Sequence, residues 1–203
     1  MKKILLVLVI ILAMSSVAMA APVTNLEKGE SAVGYLYWNP NVDAFGGDFG
    51  NASASGFYVE TAVSDKVIIG LETIKGDKSK TISGIKAKVD TRFTDLTIQY
   101  KLDNNIRLIA GNRNYDTDFA AAGVGSYSNS SDKFFYGVSA STSLGDKATA
   151  YAAVTHSSIA TEWQIGANQN LTKNLDLNIN YRYYDQDDDL TLKGIGAGLI
   201  YKF

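Results

Sequence analysis

The chain has no cysteine and two prolines among its 203 residues. Without cysteine, neither disulfide bonds nor thiolate metal sites can hold an exported domain together, so its stability must come from a continuous sheet or from a membrane. Proline interrupts β-ladders, and both Pro22 and Pro40 lie outside the segments whose patterns predict strand interiors. After the N-terminus, no segment approaches the ~20 consecutive apolar residues that a membrane-spanning helix needs.

The N-terminus has the three regions of a secretory signal peptide. Residues 2–3 are lysines, residues 4–14 are apolar, and residues 18–20 read Ala-Met-Ala, which fits a cleavage site. We therefore predict that residues 1–20 are a signal peptide and that residues 21–203 form a single mature domain.

The mature domain is mildly acidic. Removing Lys2 and Lys3 from the 19 basic residues leaves 17, against 21 acidic residues. A basic patch or stripe is the electrostatic footprint of nucleic-acid binding, and this balance provides none. No nucleic-acid partner is expected.

Apolar and polar residues alternate along most of the mature chain with the period of two that is typical of β-strands. Leu96, Ile98 and Tyr100 share one face of a segment, and Asp95 and Gln99 share the other. The same alternation recurs in residues 57–63, 67–73, 106–110, 134–140, 163–171, 175–183 and 194–203. We therefore predict an all-β chain.

Turn signals divide this chain into hairpins. Short turns are predicted at residues 64–66, 102–105, 145–147 and 172–174, and longer polar loops at residues 39–52, 76–85, 116–132, 157–161 and 185–189. Alternating short and long connections indicate a closed antiparallel up-and-down transmembrane barrel with both termini on the periplasmic side. A first strand at residues 31–38 and a weakly patterned one at residues 148–156 bring the count to ten. Because the alanines of the latter also suit a helix, eight strands are the alternative.

Periodicity alone does not orient the two faces, since a soluble sheet with an apolar core has the same pattern. The signal peptide and the terminal Phe203 favour apolar side chains facing lipid and polar ones facing the lumen. The inward charges are nearly balanced, and buried charges persist when they are paired. We predict ion pairs that largely plug the lumen, within the set Glu72, Asp95, Arg113, Glu162 and Arg182. Arg113 is expected to pair with Asp95 or Glu72, and Arg182 with Glu162. A narrow porin for small solutes is the alternative.

The last strand resembles the C-terminal signal that the barrel-assembly machinery of Gram-negative envelopes reads, with Gly198 followed three and five positions later by Tyr201 and Phe203. The chain as a whole resembles small integral outer-membrane β-barrel proteins, the class that includes OmpA and OmpX type barrels and ten-stranded adhesin barrels. The resemblance implies a location in the cell outer membrane, insertion by that machinery, and a structural or surface-interaction role without catalysis. We accordingly expect a monomer that contacts outer-membrane lipid and lipopolysaccharide.

One alternative is enzymatic. His156 and Ser158 would share a strand face and faintly resemble the His-x-Ser pair of outer-membrane lipid A 3-O-deacylases, which implies a lipid hydrolase. The parity of Trp163 places the nearest acid, Glu162, on the opposite face, so the triad does not close and no enzyme is predicted. Four carboxylates cluster in residues 185–189, but the glycine and terminal glutamate of an EF-hand loop are missing. We expect a solvated acidic loop, no metal and no cofactor.

Overall fold

The structure is a computed structural model that describes residues 24–44, 47–82, 85–121, 123, 125–186 and 190–203. The predicted signal peptide lies outside these residues. Within them, no helix is long and apolar enough to cross a membrane. The described chain forms β-strands with the following bounds: β1 Ser31–Ala44, β2 Gly47–Asn51, β3 Ser53–Ala62, β4 Val67–Ile82, β5 Ile85–Lys101, β6 Ile106–Ala121, β7 Gly125–Ser143, β8 Ala148–Ser157, β9 Thr161–Asn170, β10 Leu175–Gln186 and β11 Leu190–Lys202.

The strands form one closed antiparallel barrel. From β3 to β11 each strand pairs with the next one in the chain, and β1 pairs with β3 on one side and with β11 on the other. β1 and β11 meet at the barrel seam. At one end of this seam, the Ser31 amide donates to the Phe203 carbonyl at 2.8 Å, and the Phe203 amide donates to the Ser31 carbonyl at 2.9 Å. The predicted closed up-and-down barrel is confirmed. We call the end that holds Ser31 and Phe203 the terminal end, and the opposite one the loop end.

Ten strands make the wall, because β2 and β3 together occupy a single position beside β1. The weakly patterned segment is a regular strand, β8, which pairs with both β7 and β9. Its alternate residues Tyr151 and Ala153 are buried while Ala152 and Val154 are exposed. The count of ten is confirmed, and the eight-stranded alternative is wrong.

Pro40 lies inside β1, contrary to the prediction that both prolines avoid strand interiors. The Ala52 amide donates to the Pro40 carbonyl at 2.8 Å, but Pro40 has no N–H to return the bond. The ladder is therefore interrupted at Ala52, which separates β2 from β3. A register shift follows nearby, where Gly50 adopts a φ of +73° and its amide donates to Asp48 Oδ1 at 2.6 Å. This bond, followed by one from Asn41, lowers the pKa of Asp48 below its usual value.

Three segments predicted as long loops, residues 39–52, 76–85 and 116–132, are largely strand. The first lies mostly in β1 and β2. β4 and β5 stay paired up to Ile82 and Ile85, and β6 and β7 stay paired up to Ala121 and Gly125. The sequence pattern misled here because glycine, serine and aspartate indicate exposure to water and not backbone conformation. An antiparallel ladder is stable in water wherever each strand has a partner. The result is a four-stranded extension of the wall, β4 to β7, which rises above the other strands at the loop end.

The exterior of the barrel is apolar and the interior holds the buried charged and polar side chains together with apolar ones, as a lipid-facing barrel requires. Large hydrophobic side chains on the outside are exposed by between about a third and two thirds of their surface, and they surround the wall as a belt. We call this set the apolar belt; it includes Val33, Tyr35, Phe57, Val59, Leu71, Leu96, Ile98, Leu108, Phe134, Tyr136, Trp163, Ile165, Ile179, Ile195 and Leu199. Monomeric soluble proteins rarely expose continuous apolar surface on this scale.

Inside the barrel, glycines are paired with aromatic residues, whose rings occupy the space that a larger side chain at the glycine position would need. Gly111 pairs directly with Phe135, and a Cβ at Gly111 would lie 2.5 Å from the Phe135 ring and 2.7 Å from the Leu96 carbonyl. Gly34 pairs with Tyr58 in the same way. The rings lie across the glycine positions and cover the backbone of the neighbouring strand.

Candidate functional site

The lumen is the candidate site, since the polar side chains that the sequence analysis singled out meet there. Their order along the strands places them between two apolar clusters. On β4, Glu72 lies between Ile68 and Ile74, and on β10, Arg182 precedes Tyr184. The cluster at the terminal end, here the lower apolar cluster, is Leu26, Ala32, Leu36, Tyr58, Ala62, Ile68 and Ile200. The cluster at the loop end, here the upper apolar cluster, is Trp38, Val42, Ala54, Ile74, Phe93, Tyr115, Ala160, Tyr184, Leu190 and Leu192.

Arg113 and Asp95 form a bidentate ion pair in the middle of the lumen. Arg113 Nε donates to Asp95 Oδ1 at 2.7 Å, and Nη2 donates to Oδ2 at 2.5 Å. The two residues are directly opposed on β5 and β6, so the register of the ladder fixes the pair. The guanidinium carbon also lies 5.0 Å from the centre of the Phe135 ring. Both side chains are almost completely buried, which makes this the strongest type of charge-assisted contact.

Glu162 lies against Arg113 and not against Arg182, the partner that the sequence analysis favoured. Glu162 Oε2 is 3.6 Å from Arg113 Nη2. The register explains the difference, because Arg182 is opposed to Gln164 on β9 and Glu162 is opposed to Tyr184 on β10. One Arg113 side chain thus bridges carboxylates from two sides of the lumen.

Arg182 instead ends a chain of buried amides that the sequence analysis missed. Its Nε donates to Asn180 Oδ1 at 3.1 Å, and Asn180 Nδ2 donates to Asn178 Oδ1 at 2.6 Å. Asn178 Nδ2 donates in turn to Asn168 Oδ1 at 2.6 Å and to the Tyr151 hydroxyl at 2.9 Å. The inward position of these asparagines was readable from the alternation, but their bonds depend on the strand register.

Glu72 is buried beside these charges. It is directly opposed to Asp95 on β5, and its carboxylate oxygens receive no hydrogen bond from the described residues. Arg182 attracts this carboxylate, whereas Asp95 and Glu162 repel it. The structure thus places all five predicted residues in one layer, with a direct ion pair at Arg113 and a longer-range attraction at Arg182.

A second polar group lies towards the terminal end. Gln99 Nε2 donates to Glu60 Oε1 at 2.6 Å, and Arg107 Nη1 donates to Gln99 Oε1 at 3.2 Å. Arg107 Nη2 donates to the Thr24 carbonyl at 2.7 Å, so this group reaches a segment that precedes the first strand. Near the rim, Lys202 Nζ lies 3.0 Å from Asp176 Oδ2.

Residues 24–30, here the N-terminal segment, enter the lumen at the terminal end. Leu26 is fully buried in the lower apolar cluster, and Lys101 Nζ donates to its carbonyl. The Gly29 amide donates to the Ala62 carbonyl at 2.8 Å, which joins the segment to the end of β3. No strand pattern precedes Ser31, so the sequence analysis had no signal for this insertion.

The proposed hydrolase pair does not assemble. His156 and Ser158 are both exposed on the outside, and no hydrogen bond joins them within the described chain. His156 Nδ1 lies 2.9 Å from the Thr161 hydroxyl, and its ring packs edge-on to Tyr136. Glu162 is buried inside the barrel, on the opposite face of the wall.

Of the predicted acidic loop, residues 187–189 lie outside the described residues. Asp185 Oδ1 accepts a hydrogen bond from the Thr191 hydroxyl at 3.0 Å. Across the described ranges, no group of three or more His, Cys, Asp or Glu side chains is arranged to hold a metal ion.

The predicted assembly residues lie along the barrel seam. Gly198 is opposed to Leu36 on β1, and a Cβ there would lie 2.5 Å from Leu36 Cδ2 and 2.6 Å from the Tyr35 carbonyl. Tyr201 and Phe203 project outward and stack, with ring centres 6.1 Å apart. Their role in recognition stays a prediction.

The comparisons with known proteins identify the fold. No protein-family model and no curated protein sequence matches the chain. Solved structures do match. The translocator domain of the autotransporter NalP from Neisseria meningitidis is 12% identical, with 88% of this chain and 90% of that one covered and a TM-score of 0.55. The outer membrane protease OmpT from Escherichia coli is 12% identical, with coverage of 90% and 99% and a TM-score of 0.53.

Ail, the attachment invasion locus protein of Yersinia pestis, solved in complex with the heparin analogue sucrose octasulfate, is 15% identical. The match covers 87% of this chain and 99% of Ail, with a TM-score of 0.50. This chain has the fold of small outer-membrane β-barrels. Because the matched proteins include a protease and an attachment protein at such low identity, the likeness carries over the fold alone.

Proposed function

We propose that the chain is a non-enzymatic protein of the cell outer membrane, with a barrel that spans the bilayer and a lumen that is largely plugged by its own side chains. The single observation that carries the proposal is the apolar belt outside a charged interior, since this distribution is stable only when the exterior meets hydrocarbon. The likeness of the fold to outer-membrane barrels supports the location.

Three layers support the plug. The upper apolar cluster contains no charged side chain, and the pair of Arg113 with Asp95 holds opposite charges across the middle. The N-terminal segment then covers the terminal end through Leu26. A conducting porin needs a continuous water-filled path, and a ring of one charge sign if it selects ions. The charges here are of mixed sign, and Arg113 is paired with Asp95 and Glu162.

The proposed role is therefore structural or one of surface interaction, exercised through the exterior and the extension of β4 to β7. Outer-membrane lipid and lipopolysaccharide would surround the apolar belt, and the barrel-assembly machinery would insert the chain through Gly198, Tyr201 and Phe203. One closed barrel satisfies all its own ladder hydrogen bonds within the membrane, so a monomer is sufficient.

Single-channel recording in planar bilayers tests the plugged lumen. The mature protein should give no steady conductance, and a variant that lacks residues 24–30 should give brief openings at most, because the upper apolar cluster still closes the other end. Steady, ion-selective conductance of the intact protein would favour the narrow porin and refute the plug.

A further inference from the structure

The four-stranded extension ends in a strand that has a partner on only one side. β7 pairs with β6 from Gly125 to Ala140. Its pairing with β8 begins only at Phe135, which is opposed to Ser157. Residues 125–134 of β7, here the open edge, therefore extend beyond the last residue of β8, and no strand of the described chain pairs with them on that side.

At alternate residues of the open edge, the backbone N–H and C=O groups lie in the plane of the sheet and point away from β6. The Ser141 amide donates to Asn105 in the turn before β6, and the Leu144 amide donates to Ala148 at the start of β8. Odd-numbered residues of β7 thus bond towards β6 and even-numbered ones towards β8. Above Phe135, the N–H and C=O groups of Ser126, Ser128, Ser130, Asp132 and Phe134 face the side without a strand.

The composition of the open edge does not protect it from pairing. Natural proteins usually block exposed edges with lysine, proline, a bulge or a covering segment. The opposite edge of the extension, at the end of β4, follows that rule, because Lys78 Nζ donates to the Asn51 carbonyl and Lys80 lies 4.8 Å above the Phe49 ring. Residues 125–131 have no charged side chain and no proline, and the side chains of residues 125–130 are exposed.

Charge beside the open edge indicates what side chains an added strand would carry. On the outer face, Ser130 is opposed to Asp116 and Ser128 to Asp118 on β6. Strands lie ~4.8 Å apart, so an added strand would lie roughly 10 Å from β6. The serines between are small, and lysine or arginine side chains of an added strand would reach these two carboxylates across them. Asp132, on the edge itself, adds a third negative charge.

We propose that the open edge of β7 is a docking site for an extended peptide segment of another protein, which adds a strand to the extension and places basic side chains over Asp116 and Asp118. Main-chain hydrogen bonds would supply affinity and the carboxylates would favour basic sequences, as in strand-addition complexes. A second copy in the same membrane fits poorly. Its β7 would run parallel to this one, and the ladder offset of parallel strands is incompatible with symmetric pairing of the same residues. The inference specifies the surface-interaction role proposed above and rests on it for its cellular context.

The test measures binding of a fluorescent peptide of alternating lysine and threonine to the purified, detergent-solubilised mature protein. A peptide of the same sequence with methylated lysine backbone nitrogens has the same charge but cannot donate hydrogen bonds to the open edge, and it should not bind. Ser130→Pro removes one outward N–H of the open edge without touching the β6 ladder, and it should weaken binding about tenfold. Ser130→Thr, which keeps that N–H, should bind as the unchanged protein does. Ser128→Pro provides an independent repeat should Ser130→Pro misfold.

The joint change Asp116→Asn and Asp118→Asn should weaken binding and remove most of its salt dependence. The proposal is overturned if the lysine–threonine peptide does not bind. It is also overturned if both proline variants bind like the unchanged protein, which would indicate adsorption by charge alone, or if cross-linking shows that a second copy occupies the edge. Conductance is measured separately, so a conducting lumen would refute the plugged barrel without bearing on this edge.

Discussion

At the scale of single residues, the interior shows how a membrane barrel holds charge away from water. A buried charge is costly unless a partner and hydrogen bonds compensate it. Arg113 has both, with two bonds to Asp95, a second carboxylate in Glu162 and an aromatic ring beneath it. The sequence predicted that these residues face inward, because alternation fixes the face, and that Arg113 pairs with Asp95 or Glu72. It could not predict that Glu162 meets Arg113 and not Arg182, because partner choice depends on register.

Breaking the central ion pair should be costly. We expect Arg113→Leu to lower the free energy of unfolding by about 3–5 kcal/mol, because Asp95 would remain buried and uncompensated. The double change Arg113→Leu, Asp95→Leu should recover part of that loss. Urea titration of the protein in lipid vesicles measures both. Lys88→Leu is the control, since its bond to Asp90 at 2.8 Å is largely exposed and should contribute little to stability. Equal losses for Lys88→Leu and Arg113→Leu would show that the lumen screens its charges.

The glycine beneath Phe135 should not tolerate a methyl group. Gly111→Ala places a Cβ within 2.7 Å of the Leu96 carbonyl and against the Phe135 ring, so the strand or the ring must move. Overpacking of this kind costs ~1–3 kcal/mol. Gly76→Ala on β4 is the matched control, because the atoms nearest to its new Cβ would be 3.5 Å away. Should the two variants unfold at the same urea concentration, the close packing described for the lumen would be wrong.

At the scale of elements, alternation and turn residues predicted where strands begin at the terminal end and which faces they present. They failed at the loop end for one physical reason. Polar residues such as those of residues 116–121 and 125–132 are compatible with both loop and strand, and only pairing with a neighbour decides between them. The prediction that Pro40 lies outside a strand was wrong for a related reason. A missing backbone N–H is tolerated inside β1 because the ladder from β1 to β2 is irregular there. The N-terminal segment has no periodic signal at all.

The N-terminal segment should protect its own buried residues from aqueous reagents. The chain has no cysteine, so Thr24→Cys creates a unique thiol at a position that is 1% exposed, and Glu27→Cys creates one at an exposed position of the same segment. We expect the Thr24→Cys thiol to react with a water-soluble maleimide at least about tenfold more slowly than the Glu27→Cys thiol, because the segment must open before the reagent reaches residue 24. Adding Arg107→Ala removes the hydrogen bond to the Thr24 carbonyl and should bring the two reaction rates closer together. Equal rates in the two parent variants would show that the segment does not occupy the lumen.

At the scale of the whole molecule, the barrel inverts the usual distribution of polarity. The belt outside is apolar, and the interior carries the charges, amides and hydroxyls between two apolar clusters. The fold class, the closure and the strand count were predictable, because an even set of alternating segments has few ways to satisfy every backbone group. The layering of the lumen was not, because it depends on how ten strands are staggered. Function is a further step, since a filled lumen and an open edge are properties of the assembled barrel.

The central claim is that the exterior meets lipid and the interior does not, and three positions of β5 test it most directly. Nitroxide labels on cysteines introduced at Ile98 in the apolar belt, Gln99 in the lumen and Lys88 on the extension report collisions with oxygen, which concentrates in lipid, and with a water-soluble nickel chelate. In vesicles, the Ile98 label should collide with oxygen and not with nickel, the Lys88 label should do the reverse, and the Gln99 label should meet little of either. If the Ile98 label is as accessible to nickel as the Lys88 label, the belt faces water and the account of a membrane-spanning barrel is contradicted.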